Sequence, residues 1–212
     1  MTTLAIMKAR IASELRRSNI TTQIASAIST AIQAYEHERF YTNESRENTF
    51  LTVQDQEFYS SSDASFIGLL TKIDYVFLFI QDTPFELFPV LPRVIEDAST
   101  NATATGTPTE YAWYDEKIRL YPVPADAWTV RVGGVLSISE PASDSETGNF
   151  WMTTAERLIR SRAKQELALH VLRDTELAQI AGGAASEAFT QLNIRTNRIT
   201  KTGGGRVKPM NY

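Results

Sequence analysis

The sequence predicts an α+β fold: a helical bundle made by the two ends of the chain, an inserted small antiparallel β domain, and an extended C-terminal tail. Three observations predict it. Helical periodicity fills the first forty residues and returns after residue 150, short β-prone runs fill the interval, and charge is segregated along the same divisions. Residues 1–42 carry five Lys/Arg against three Asp/Glu, residues 43–150 six against seventeen, and residues 151–212 ten against five. The expected divisions are therefore an N-terminal helical hairpin (1–42), an acidic β-rich insertion (43–150), C-terminal helices (151–200) and a basic tail (201–212).

At the start, Leu4, Met7 or Lys8, Ile11 and Leu15 fall at helical spacing, as do Ile24, Ile28, Ile32 and Tyr35. Ser18-Asn19 separates the two helices, and Thr21 or Thr22 is the expected N-cap of the second. So short a connection predicts an antiparallel hairpin. From Phe40 the pattern turns to β-prone stretches, Phe50 to Phe58 and Leu69 to Ile80, with Ser60-Ser61-Ser62-Asp63 as a turn between them. Pro84, Pro89 and Pro92 interrupt the next stretch and permit only a short helix from Pro92 to Ala98. Ser99 to Thr109 is small and polar, the composition of a surface loop.

Tyr111–Tyr114 and Lys117–Tyr121, separated by Asp115-Glu116, predict a tight hairpin. Trp128 to Leu136 is the expected third strand beside it, with Gly133-Gly134 loosening its alternation. After the acidic loop Pro141 to Gly148, Thr153 and Glu156 match a capping box for a long helix. Its stripe is Leu158, Ile159, Ala163, Leu167 and Val171, running to about Arg173. Gly182-Gly183 is expected to break or bend the next helix, which resumes to about Ile199 with Phe189 and Leu192 on its buried side.

Composition narrows the function classes. The 212 residues are 42% hydrophobic and 22% charged, enough apolar material for a core. Cysteine is absent, which removes disulfides, thiolate metal sites and cysteine nucleophiles. No run offers the roughly 18 apolar residues of a membrane span, and MTTLAIMKAR lacks signal-peptide character. The expectation is a soluble, unexported protein that contacts no membrane.

The catalytic search ends without a constellation. His37 lies between Glu36 and Glu38, whose side chains diverge around a helix, and His170 has no HExxH partner. Asp115-Glu116 is more simply a turn, and Asp144 with Glu146 a loop. Gly203-Gly204-Gly205-Arg206-Val207-Lys208 lacks the spacing, the Ser/Thr and the helix of a phosphate loop. No enzyme activity, metal or cofactor is expected.

Two basic features remain. Arg157, Arg160 and Lys164 stand at i, i+3 and i+7, either a phosphate-facing stripe or a solvated face paired with nearby acids. From Ala188 onward there are five Lys/Arg and no Asp/Glu. The tail adds glycine reach, Pro209, Met210 and an anchoring Tyr212, and either grips a partner or is a plain terminus.

The order of these features resembles the head-to-tail adaptor, or head completion, proteins of tailed bacteriophages. The resemblance is carried by Glu38-Arg39-Phe40-Tyr41-Thr42-Asn43 and Phe50, by Gly106-Thr107-Pro108-Thr109-Glu110-Tyr111, and by Ile118 to Pro124. Leu136-Ser137, Asn149-Phe150-Trp151 and the helix opening at Leu158-Ile159 complete it. It implies a virion neck protein, made in the host bacterial cytoplasm, that forms a ring with neighbouring copies, usually a dodecamer. Such a ring binds the portal protein after DNA packaging, extends the channel for packaged DNA and docks a distal neck or tail protein. Mapped here, Lys201, Gly203, Gly204, Gly205, Arg206, Val207, Lys208, Pro209, Met210 and Tyr212 become the portal-binding tail. Arg157, Arg160 and Lys164 become candidate channel or DNA-facing residues. The alternative is a nucleic-acid-binding module that uses the basic C-terminal region directly. The isolated chain is expected to be monomeric before docking.

Overall fold

A computed structural model describes residues 2–99 and 104–201, and these divide into two units. One comprises residues 1–42 and 138–212, the other residues 43–137. The chain is α+β, with five α-helices and a large, mainly antiparallel sheet among the described residues.

The first unit is helical. Helix α1 (Leu4–Leu15) buries Met7 and Ile11, and the Ile6 N–H donates to the hydroxyl of its N-cap, Thr3, at 3.3 Å. It stops at Arg16, whose left-handed φ of 51° lets its N–H reach back to Ala12 and Ser13. Helix α2 (Thr21–Gln33) buries Ile24, Ala27, Ile28, Ala31 and Ile32. The threonines expected to cap it do not, because Ile20 holds the N-cap position and makes no side-chain hydrogen bond there.

Helix α4 (Glu156–Leu167) buries Leu158, Ile159, Ala163 and Leu167, as its spacing demands. The expected capping box fails. Thr153 instead donates its hydroxyl to the Asn149 carbonyl at 2.8 Å, and the Glu156 carboxylate faces Arg10 and Arg160 across 3.2 Å each. Past Leu167 the helix widens into a π turn (Ala168–Leu172) and ends at Arg173, φ 55°. Val171, read in sequence as part of the buried stripe, is 40% exposed there.

Helix α5 (Thr175–Lys201) runs unbroken through Gly182-Gly183, contrary to the expected break. The glycines do different things. A Cβ on Gly182 would come within 2.7 Å of the Gln165 amide of α4, whereas one on Gly183 would meet nothing. Gly182 thus serves close helix packing, and backbone hydrogen bonding carries the helix past both.

These helices share one core with the segment before α4. Trp151 is fully buried, donates Nε1–H to the Ile138 carbonyl at 3.0 Å, and lies edge-on to Phe40 at 5.9 Å. Phe40 also meets Phe189 of α5 edge-on at 6.4 Å. The acidic loop after residue 137 packs here too: Lys8 reaches Asp144 at 2.6 Å and the Ser29 hydroxyl donates to Glu140 at 2.6 Å. Basic and hydroxylic side chains of the helices hold acids that the charge pattern alone assigns to the β stretch.

The second unit is built on a seven-stranded sheet ordered β1-β9-β3-β4-β6-β7-β2. The strands are β1 (Glu44–Leu51), β2 (Phe58–Tyr59), β3 (Leu70–Ile80), β4 (Thr83–Pro89), β6 (Glu110–Tyr114), β7 (Lys117–Tyr121) and β9 (Thr129–Leu136). All neighbours are antiparallel except β4 and β6. Helix α3 (Pro92–Ser99) links them, and β5 (Thr105–Gly106) pairs with β8 (Val123–Pro124) apart from the sheet, inside the segment expected to be only a loop.

The β6–β7 hairpin forms as expected, with Asp115 and Glu116 both left-handed at φ 51° and 54°. The sheet is larger than the three strands the sequence predicts, and β9 does not lie beside that hairpin. It sits between β1 and β3, where the Val130 and Val132 side chains enter a core with Phe50, Val76, Leu78, Leu87 and Leu120. Gly133 and Gly134 permit this placement: a Cβ on the first would fall on the Tyr75 ring, and one on the second on the Lys72 carbonyl oxygen. Far from loosening the strand, they let a bulged β3 approach.

Prolines 84 and 89, expected to interrupt this stretch, lie within β4. β4 pairs with β3 along Thr83–Leu87 but with β6 only at Phe88–Pro89, so Pro84 lies on a stretch with one unpaired side. The turn before it, Gln81-Asp82, is again left-handed at both residues.

Candidate interaction surfaces

The three α4 cations singled out in the sequence share one helix but not one environment. Arg160 and Lys164 both bind Glu14 of α1, Lys164 at 2.6 Å, and Arg160 also meets Glu156 one turn before it. Their side chains are only 25% and 23% exposed. Burial opposes ionisation of Glu14, but the hydrogen bond and charge of Lys164, then those of Arg160, outweigh it and hold the carboxyl below the usual glutamate range. Arg157, half exposed, pairs with Glu187 of α5 at 2.7 Å. The stripe is therefore a set of ion pairs stitching α1 and α5 to α4.

Near Arg157 the α4–α5 seam opens into a shallow groove with an apolar floor of Leu158, Ala188 and Leu192. Thr154, Arg157, Gln191 and Arg195 form its rim, and the Arg195 guanidinium lies 4.6 Å from the centre of the Tyr41 ring. Sequence reasoning missed Glu14, Glu187 and Tyr41 as partners because each is remote in the chain from the cation it holds.

Of the C-terminal tail, Lys201 is the last residue of α5. Gly203, Gly204, Gly205, Arg206, Val207, Lys208, Pro209, Met210 and Tyr212 lie outside the described residues. The end of α5 before them has an exposed side that includes Ile194, Arg195, Arg198 and Ile199.

Both histidines lie at the surface beside a glutamate. His37 is 3.3 Å from Glu36 and His170 is 3.4 Å from Glu166. Among the described residues, no group of three or more His, Asp or Glu is arranged to hold a metal ion, and no helix is long and apolar enough to cross a membrane.

In the sheet unit, Arg119 of β7 is the one buried cation among the described residues. It binds Glu57, reaches Glu96 of α3 at 2.5 Å and stacks over Phe58 at 5.1 Å. Burial opposes its charge, yet the Glu57 hydrogen bond and the two carboxylates hold the guanidinium above its ordinary range. This pins α3 to the sheet. Immediately before and within α3, Phe88, Leu91 and Val94 are 63%, 73% and 47% exposed. Their spacing of three was the available sequence signal, hidden by prolines 89 and 92.

The arrangement offers helix-borne ion pairs, a basic helix end and an exposed apolar stripe, which are means of contact between macromolecules. No curated protein matches the chain. A family model described as SU10 adaptor protein matches residues 2–208, nearly the whole chain. The chain belongs to that family of bacteriophage adaptor proteins, the kind its sequence resembles, and its role is that of a phage structural adaptor.

Proposed function

We propose that the chain is a head-to-tail adaptor that assembles as a ring, typically of twelve copies, beneath the portal once DNA is packaged. The observation that carries this reading is the family match across residues 2–208. In it, the helices from both ends of the chain form a bundle that is the ring body. Residues 201–212 reach into the portal subunits, and the acidic sheet unit meets the distal neck or tail protein. The protein is made in the host cytoplasm, resides in the virion neck and has no catalytic role.

The electrostatics of α4 count against that helix as a DNA-binding face; the alternative, a nucleic-acid-binding module, would have to use the basic residues after Ala188. A DNA binder gains affinity by releasing counterions through uncompensated cations. Here Arg160 and Lys164 are already held by Glu14, and Arg157 by Glu187. If these residues face the channel, they do so with their charge largely offset by Glu14, Glu156 and Glu187, which suits a conduit through which DNA must slide.

Deleting residues 201–212 tests the reading. The truncated chain should keep its helical circular dichroism, lose co-sedimentation with portal particles and keep its DNA affinity. Loss of DNA affinity with portal binding intact would instead establish the nucleic-acid module.

A further inference from the structure

We propose that the face of the sheet opposite its core, centred on Arg131, docks a protein partner that presents a carboxylate between apolar side chains. The proposal rests on the adaptor reading above and gives its distal contact a chemistry.

Strand register builds this face. Val130 and Val132 of β9, like Val76 and Leu78 of β3, belong to the core, so alternation turns Arg131, Phe77 and Phe79 the other way. Arg131 stands between Thr49 of β1 and Phe77 of β3, and its guanidinium lies 4.8 Å from the centre of the Phe79 ring and 5.7 Å from that of Phe77. Leu51 of β1 and Phe88 of β4 continue the same face and are 65% and 63% exposed. Large apolar groups spread over four adjacent strands mark a contact surface.

Arg131 is the exception in its unit. Residues 43–137 hold fourteen Asp/Glu and six Lys/Arg. Arg46, Lys72, Arg93, Lys117 and Arg119 each lie within 4.0 Å of a carboxylate. Arg131 forms no ion pair and no hydrogen bond among the described residues, and its Nε is enclosed without an acceptor. Glu86 stands beyond Phe77 on β4 and is not paired with it.

The aromatic bed holds a cation whose side chain is half-buried. A partner that covers Phe77 and Phe79 must also take the guanidinium out of water, and a covered charge without a counterion is costly. The partner therefore brings its own acceptor, and a carboxylate matches the planar guanidinium with two parallel hydrogen bonds. Phosphate offers similar chemistry, but a polyanion would meet the acid excess of this unit, whereas one carboxylate among apolar groups is screened from it.

The test titrates the full-length, ¹⁵N-labelled chain with the capped peptides Phe-Glu-Phe and Phe-Gln-Phe and with single-stranded oligothymidylate. The Nε–H resonance of Arg131, assigned by its loss in Arg131→Lys, and the amides of Phe77 and Phe79 are followed by NMR. Phe-Glu-Phe should shift all three and bind about tenfold more tightly than Phe-Gln-Phe, a preference that Arg131→Gln abolishes. No shift at millimolar peptide, or equal affinity for the two peptides, would overturn the proposal. So would a stronger response to oligothymidylate, which assigns the face to nucleic acid, or a shift with protein concentration alone, which assigns it to a second copy. Electron microscopy of particles assembled with Arg131→Glu separates this contact from the adaptor reading, with Arg131→Gln in its place if the first fails to match the parent's circular dichroism. Rings at the portal that lack tails uphold the contact. Rings with tails overturn it and leave the adaptor reading intact, and parent particles without this chain at the portal overturn both.

Discussion

Replacing Glu14 by Gln removes one charge, frees Lys164 and leaves Arg160 to Glu156 alone. Glu14 is the shared acceptor of Arg160 and Lys164, and its side chain is 34% exposed while theirs are 25% and 23%. Pairs this accessible are screened by water, so each contributes about 0.5–0.8 kcal/mol, and the substitution should cost about 1–1.5 kcal/mol near neutrality. The cost depends on pH with a definite sign. The folded-state pKa of Glu14 is depressed, so its stabilising contribution is present above the unfolded-state value and is lost as pH falls through the folded one. Urea denaturation followed by helical circular dichroism should show the variant weaker near neutrality and the difference shrinking as acid protonates Glu14.

Function supplies a second readout of the same change. Lys164, once released and able to reach phosphate, would steepen the dependence of log affinity on log salt by about 0.9, the value for one phosphate neutralised. The variant should therefore bind duplex DNA more tightly at low salt than the parent does. A parent that already binds DNA with a steep salt dependence, left unchanged by Glu14→Gln, would refute the argument that the pairing passivates this face. Equal stability of the two proteins near neutrality would refute the structural half.

The sheet unit and α5 give further expectations. Arg119→Met should cost about 2–4 kcal/mol in urea denaturation, because it strands Glu57, only 23% exposed, beside an apolar neighbour. Glu96→Gln, at a carboxylate 63% exposed, should cost under about 1 kcal/mol. Gly183→Ala should stabilise by about 0.5–1 kcal/mol through helix propensity, since its Cβ meets nothing. Gly134→Ala should destabilise by about 3 kcal/mol or more, because the obstacle is the Lys72 backbone oxygen, which cannot rotate aside. Thermal denaturation of the two alanine variants should thus move in opposite directions.

The helices were legible because their information is local. Met7 and Ile11, or Leu158, Ile159, Ala163 and Leu167, declare a buried face within a dozen residues, and the core contains them. The β6–β7 hairpin was legible for the same reason, its turn and both strands lying within Glu110–Tyr121. Strand order was not. β9 pairs with β1 and β3, whose residues stand more than fifty positions earlier in most of the ladder, and no periodicity within Thr129–Leu136 encodes those partners. Its glycines misled because a local rule treats missing side chains as weakness, whereas Tyr75 and Lys72 occupy the space they leave.

Site chemistry divides along the same line. The positions of Arg157, Arg160 and Lys164 were readable as one stripe, yet what a cation does depends on whether a carboxylate compensates it. Glu14 stands 146 residues from Arg160 and 150 from Lys164, and only the fold brings them together. Under the proposed role, in which DNA passes through a ring of these chains, such compensation lets arginines serve helix packing without becoming phosphate traps. The exposed Phe88-Leu91-Val94 stripe presents the converse case. Its residues are close in sequence, but prolines 84, 89 and 92 give the segment an irregular pattern that hides a presented surface. Only Pro84 lies on the unpaired side of β4; Pro89 sits opposite Tyr111 of β6 and Pro92 opens α3, so the segment's irregular pattern comes from three different backbone settings that no local period encodes.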